Sequence, residues 1–160
     1  MTLALAGCSG QGGSPLAGDG VGALGATVRV NPNPAAPWAA YFTIQGGKDA
    51  HVVTRVTVDG AERAEIHESK MEGGVMTMVP IERLEIPARE QVVLRSGGKH
   101  IMLFGVTDTA RQSGHMTVTL HFEGGSDLPV ALAFDPAAAG AATPETTSNA
   151  AAPAGEHSGH

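Results

Sequence analysis

Between Leu24 and Asp135, hydrophobic and polar residues alternate in short runs. Ala26, Val28 and Val30 alternate with Thr27 and Arg29. Val52, Val56 and Val58 share one face, while Arg55, Thr57 and Asp59 take the other. Met116, Val118, Leu120 and Phe122 alternate with Thr117, Thr119, His121 and Glu123, and Val130, Leu132 and Phe134 repeat the scheme. Successive side chains of a strand point to opposite sides of its sheet, so this period of two marks strands with one buried face. Gly, Pro and Asp turns separate the runs, and no stretch shows a helical period. The pattern predicts an all-β sandwich.

The same alternation sorts the candidate metal ligands. The run Lys99-His100-Ile101-Met102-Leu103-Phe104 reads as a strand with His100 and Met102 on one face and Ile101 and Leu103 on the core face. The polar stretch from Glu68 to Thr77, with Gly73-Gly74 inside it, reads as a loop or hairpin that returns Met78 towards His67. Imidazole nitrogen and thioether sulfur are a soft donor set that selects Cu(I) over Mg2+ or Ca2+. Zinc recruits Cys, His or carboxylate, and a half-thioether site would hold it poorly. His67, Met78, His100 and Met102 are therefore the candidate Cu(I) ligands. Against them stands the ordinary use of Met as core filler and of His as a solvated side chain. Met76 shares strand parity with Met78, and both Met71 and Met76 flank the turn, where one of them could supplement the site or shield it from water. Met116 falls with the core residues of its run and His121 on the polar face. His51 and His115 sit at strand edges, where a surface histidine is the default.

Ten residues separate His67 from Met78, twenty-one separate Met78 from His100, and one separates His100 from Met102. This H-x10-M-x21-H-x-M spacing resembles the signature of the periplasmic and extracytoplasmic copper chaperones of the PCuAC family. The resemblance extends to Trp38-Ala39-Ala40-Tyr41-Phe42-Thr43-Ile44, to Ala64-Glu65-Ile66-His67-Glu68, to Met71–Met78 and to Gly97-Gly98-Lys99-His100-Ile101-Met102-Leu103. It covers residues 24–135. Ser96 departs from the proline that often precedes the Gly-Gly, and the chain after Asp135 has no counterpart. The resemblance implies a cupredoxin-like Greek-key β-sandwich. It also implies Cu(I) held by the two His and two Met, and delivery towards the dinuclear copper centre of cytochrome c oxidase in company with a thiol-disulfide type assembly factor. A surface copper buffer or resistance protein is the alternative among binding proteins. A β-sandwich adhesion or scaffold domain with incidental Met and His is the alternative from another class.

Composition bounds these readings. The 160 residues suffice for one ordinary domain with tails. A net charge of −6 argues against a nucleic-acid partner. No apolar run approaches the roughly 20 residues that cross a bilayer. Leu5-Ala6-Gly7-Cys8 resembles a lipobox, with Cys8, the sole cysteine, as the lipidation site, so residues 1–8 read as the remainder of a lipoprotein signal. That leader is short and carries no Lys or Arg, and the competing reading is a stray thiol in a disordered end. The lipoprotein reading expects an extracytoplasmic protein anchored to the outer face of the cytoplasmic membrane through lipid alone. Residues 9–23 are rich in Gly with some Ser, as a flexible linker would be. Residues 136–160 form an Ala/Gly/Thr/Pro tail too poor in large apolar residues to fold, ending in His157 and His160. Those imidazoles suit Cu(II) capture, or are incidental.

No enzyme emerges. Glu65 and Glu68 flank His67, but no nucleophile is paired with a base and no phosphate-binding Gly-rich loop leads from a strand into a helix. Blue-copper electron transfer needs a thiolate ligand, and Cys8 stands far from the candidate ligands in sequence. The spacing does not offer the histidine cluster of a copper/zinc dismutase either.

Overall fold

The computed structural model describes residues 20–139. In chain order they form β1 (Gly22–Arg29), β2 (Trp38–Gln45), β3 (His51–Asp59), β4 (Ala61–Glu72), β5 (Val75–Pro80), β6 (Leu84–Ile86), β7 (Gln91–Val93), β8 (Lys99–Val106), α1 (Asp108–Ser113), β9 (His115–Phe122) and β10 (Asp127–Ala133). One sheet runs β1-β2-β8-β4-β5, with β7 also paired to β2, and the other runs β10-β9-β3-β6. All strand pairs are antiparallel. The inner faces supply a core of Ile44, Val53, Ile101, Leu103, Val118, Leu120 and Leu128, all buried. The expected all-β, cupredoxin-like sandwich is what forms.

β9 and β10 follow the alternation residue by residue, with Met116 in the core. β3 does not. Its register against β9 shifts between Val53 and Arg55, so Val53 rather than Val52 joins Val56 inside. An extra residue in one strand reverses the parity on either side of it, which strict alternation cannot foresee. The other departure is α1, whose six residues are too few to display a helical period. Local chemistry defines it instead: the Thr107 hydroxyl accepts from the Ala110 amide, and Gly114 ends the helix at φ 71°. Packing also begins upstream of Leu24, since Val21 and Ala23 are buried, and continues to the buried Ala139.

Arg111 explains that downstream extension. Buried over the Trp38 ring at 5.0 Å, its guanidinium donates to the carbonyls of Val106, Asn31 and Ala139. A charge removed from water needs such partners. Trp38 in turn meets Phe134 edge-on at 4.9 Å and donates its indole N–H to Asn31. These contacts close one end of the sandwich and fix the loop before β2.

Candidate metal centre

β8 lies between β2 and β4, strands far from it in sequence. Its register sets His100 opposite His67, and sets Met102 between Glu65 on β4 and Ala39 on β2. Directly paired residues project to the same side of a sheet. His67, His100 and Met102 therefore share the outer face, while Ile66, Ile101 and Leu103 fill the core. The stretch after Glu68 is a hairpin. Gly73 and Gly74, at φ 58° and 81°, make a two-residue turn with left-handed backbone at both positions, which favours glycine and matches strand twist. Pairing then places Met78 opposite Ser69, two residues beyond His67 and on the same face.

Met78, His100 and Met102 line one cavity of about 250 Å3, together with Tyr41, Ser69 and Ser96. His67 is not part of that lining, but its ring lies 6.2 Å from the His100 ring. His100 is only 4% exposed although it faces outward, because the Tyr41 ring and the segments bearing Asn31 and Gly97 surround it.

The hydrogen bonds orient both imidazoles. A carbonyl or carboxylate can only accept, so the ring nitrogen facing it carries the proton. His100 Nδ1 faces the Gly98 carbonyl at 3.0 Å, which leaves Nε2 as the lone-pair nitrogen of the neutral ring. His67 Nε2 faces Glu65 at 2.9 Å, which leaves Nδ1, and that atom is buried without a partner. Glu65 is itself held by Arg63 at 3.1 Å, whose guanidinium lies over Phe104. The sequence assigned Glu65 no role. Its position two residues before His67 on a strand is the signal that would have placed both on one face. Glu68, on the other face, bridges Lys99 and Lys70 at 3.3 and 3.5 Å. The hydrogen bond from Lys99 holds its carboxyl below the usual carboxylate range and ties β4 to β8 beside the histidines.

The remaining candidates separate cleanly. His121 lies between Asp127 at 2.6 Å and Thr57 at 2.8 Å on the second sheet, away from this site. His115 is exposed, whereas His51 is half-buried against Phe122, more enclosed than a surface histidine. Met71 and Met76 face each other on the hairpin, on the side of Met78. Cys8, His157 and His160 lie outside the described residues, as do most of the linker and all but the first residues of the tail. Among the described residues, no three His, Cys, Asp or Glu side chains gather to hold a metal ion.

The "Putative lipoprotein LpqE-like" family matches residues 23–134. The chain belongs to this family. A putative lipoprotein of Leifsonia xyli subsp. xyli is 33% identical over 87 residues, 54% of this chain and 52% of that protein, so the chain spans about half the length of the curated relative it matches. Among solved structures, the copper-bound PCuAC domain of PmoF2 superposes with a TM-score of 0.60 at 13% identity, covering 76% of this chain and 97% of that one. The apo PCuAC domain of PmoF1 gives 0.59 at 17%, over 76% and 98% of the two chains. Apo-DR1885 from Deinococcus radiodurans gives 0.52 at 23%, over 84% and 91%. At these identities the likeness is one of fold: this member of the LpqE-like family has the PCuAC architecture.

Proposed function

We propose that this LpqE-like protein is an extracytoplasmic copper chaperone, carrying Cu(I) as cargo between His67, His100, Met78 and Met102. One observation carries the reading. Two imidazoles sit opposite each other, each with one nitrogen tied by an acceptor and the other left free, beside a cavity lined by two thioethers. Ligating histidines characteristically donate their second N–H to a carboxylate or carbonyl in this way. His67 would bind through Nδ1 and His100 through Nε2. Cu(I) prefers such nitrogen and thioether donors, and a cavity open to solvent at the exposed Met78 lets ligands be exchanged one by one with a recipient. The resemblance to the copper chaperones favours the dinuclear centre of cytochrome c oxidase as that recipient, with a thiol-disulfide type factor assisting. Cys8, together with the lipoprotein family, supports anchoring by lipid. Among the described residues no helix is long and apolar enough to cross a membrane.

Anaerobic titration of the protein with Cu(I) against a chromophoric chelator is expected to show one tight equivalent, and X-ray absorption at the copper edge both nitrogen and sulfur scattering. Scattering from nitrogen or oxygen alone would remove the methionines from the site. Glu65 is the positioning residue in this arrangement. Glu65→Ala frees the His67 ring and is expected to weaken Cu(I) binding by about 10–100-fold, the usual effect of losing such a partner. Glu65→Gln, which can still accept from Nε2–H, should recover part of the loss. Equal affinity in all three proteins would mean that Glu65 does not orient His67.

A further inference from the structure

The hairpin of β4 and β5 carries a second cluster of soft donors, separate from the histidines. All six residues of β5 are exposed, and Met71, Met76 and Met78 are 66%, 51% and 53% exposed. Large apolar side chains gathered so openly call for a reason. Their placement in the ladder is specific. The Ile81 amide donates to Ile66, and Pro80, opposite His67, has no N–H to give, so the His67–Pro80 pair is one of the non-hydrogen-bonded pairs of the ladder. Such pairs recur every second residue, which makes Ser69–Met78 and Met71–Met76 the next two. At these pairs the facing Cα atoms approach to about 4.5 Å and the side chains stand closest together. Met71 and Met76 are thus two flexible thioethers facing each other across the narrow spacing. Met78 lies one step along β5, about 7 Å away and within reach of long side chains.

We propose that Met71 and Met76 form an outer, all-thioether site that captures Cu(I) and passes it through Met78 to the inner ligands. This rests on the Cu(I) reading of the inner site. Two facing thioethers are soft donors suited to Cu(I), with no charge or nitrogen to attract harder ions. Met78 is common to both sites: it stands two residues along β5 from Met76, diagonally across from Met71, and also lines the inner cavity with His100 and Met102. An ion could therefore move inward by exchanging one sulfur at a time. No electron is transferred and copper stays Cu(I).

The test uses the full chain with methionines labelled at the methyl carbon and Cu(I) added anaerobically, read by NMR. The methyl signals of Met78 and Met102 should move with the first equivalent, and those of Met71 and Met76 with further Cu(I). In Met71→Leu/Met76→Leu, the later equivalent should be lost, the affinity of the inner site should be unchanged, and loading from a Cu(I)–chelator complex should slow several-fold. Unmoved Met71 and Met76 signals, or a double variant that loads at the wild-type rate, would overturn the outer site while leaving the inner one standing. Movement of Met71 and Met76 without Met78 or Met102 would instead overturn the inner site and the passage into it.

Discussion

Replacing Met102 by leucine is expected to lower Cu(I) affinity by more than about a hundredfold while leaving the fold in place. Losing a residue that merely orients a ligand costs about 10–100-fold, so loss of a ligand itself should exceed that range. A hundredfold corresponds to about 2.7 kcal/mol of binding free energy. Folding should hardly notice. Met102 is half-buried on the outer face of β8, not in the core, and exchanges between Met and Leu conserve volume, typically costing under about 1.5 kcal/mol. Chelator competition and thermal melting on the same preparation separate the two effects. A lowered melting temperature with unchanged affinity in the folded fraction would make Met102 a packing residue.

The opposite result is expected one residue earlier. Ile101 is fully buried and faces the second sheet, so Ile101→Ala leaves a cavity in the core. Such truncations cost about 2–5 kcal/mol. For a domain of this size that lowers the melting temperature by roughly 10 °C or more. Cu(I) affinity of the folded protein should stay within a few-fold of wild type, because no ligand is touched. Ile101→Val, which removes a single methyl group, should fall between the two. A variant that melts normally but loses copper would show that β8 is turned over relative to the pairing described, with Ile101 rather than Met102 on the site face.

These two substitutions rest on the part of the site that is legible in the chain. Alternation along residues 99–104 assigns His100 and Met102 to one face and Ile101 and Leu103 to the other, because a strand has only two sides. The paired glycines at 73 and 74 announce the hairpin for the same kind of local reason: few other residues adopt left-handed backbone twice in succession. Bulges and short capped turns escape such a reading. At the break in β3 the side of Val52 and Val53 depends on how β9 lies against them, and α1 is set by Thr107 and Gly114 rather than by any period.

What the sequence by itself determined is the strand character of β1, β3, β8, β9 and β10, the faces of β8, β9 and β10, and the soft character of the candidate donors, all properties of residues and their near neighbours. Only the tertiary structure decided that β8 enters between β2 and β4, so that His100 faces His67 in exact cross-strand register and Met78 reaches the same cavity from the hairpin. It alone decided that Glu65 and the Gly98 carbonyl bind one nitrogen of each imidazole and leave the other free. The physical reason is range. Local propensity and periodicity act over a few residues, whereas the neighbours of an inserted strand follow from burying two apolar faces against each other across a chain of distant contacts.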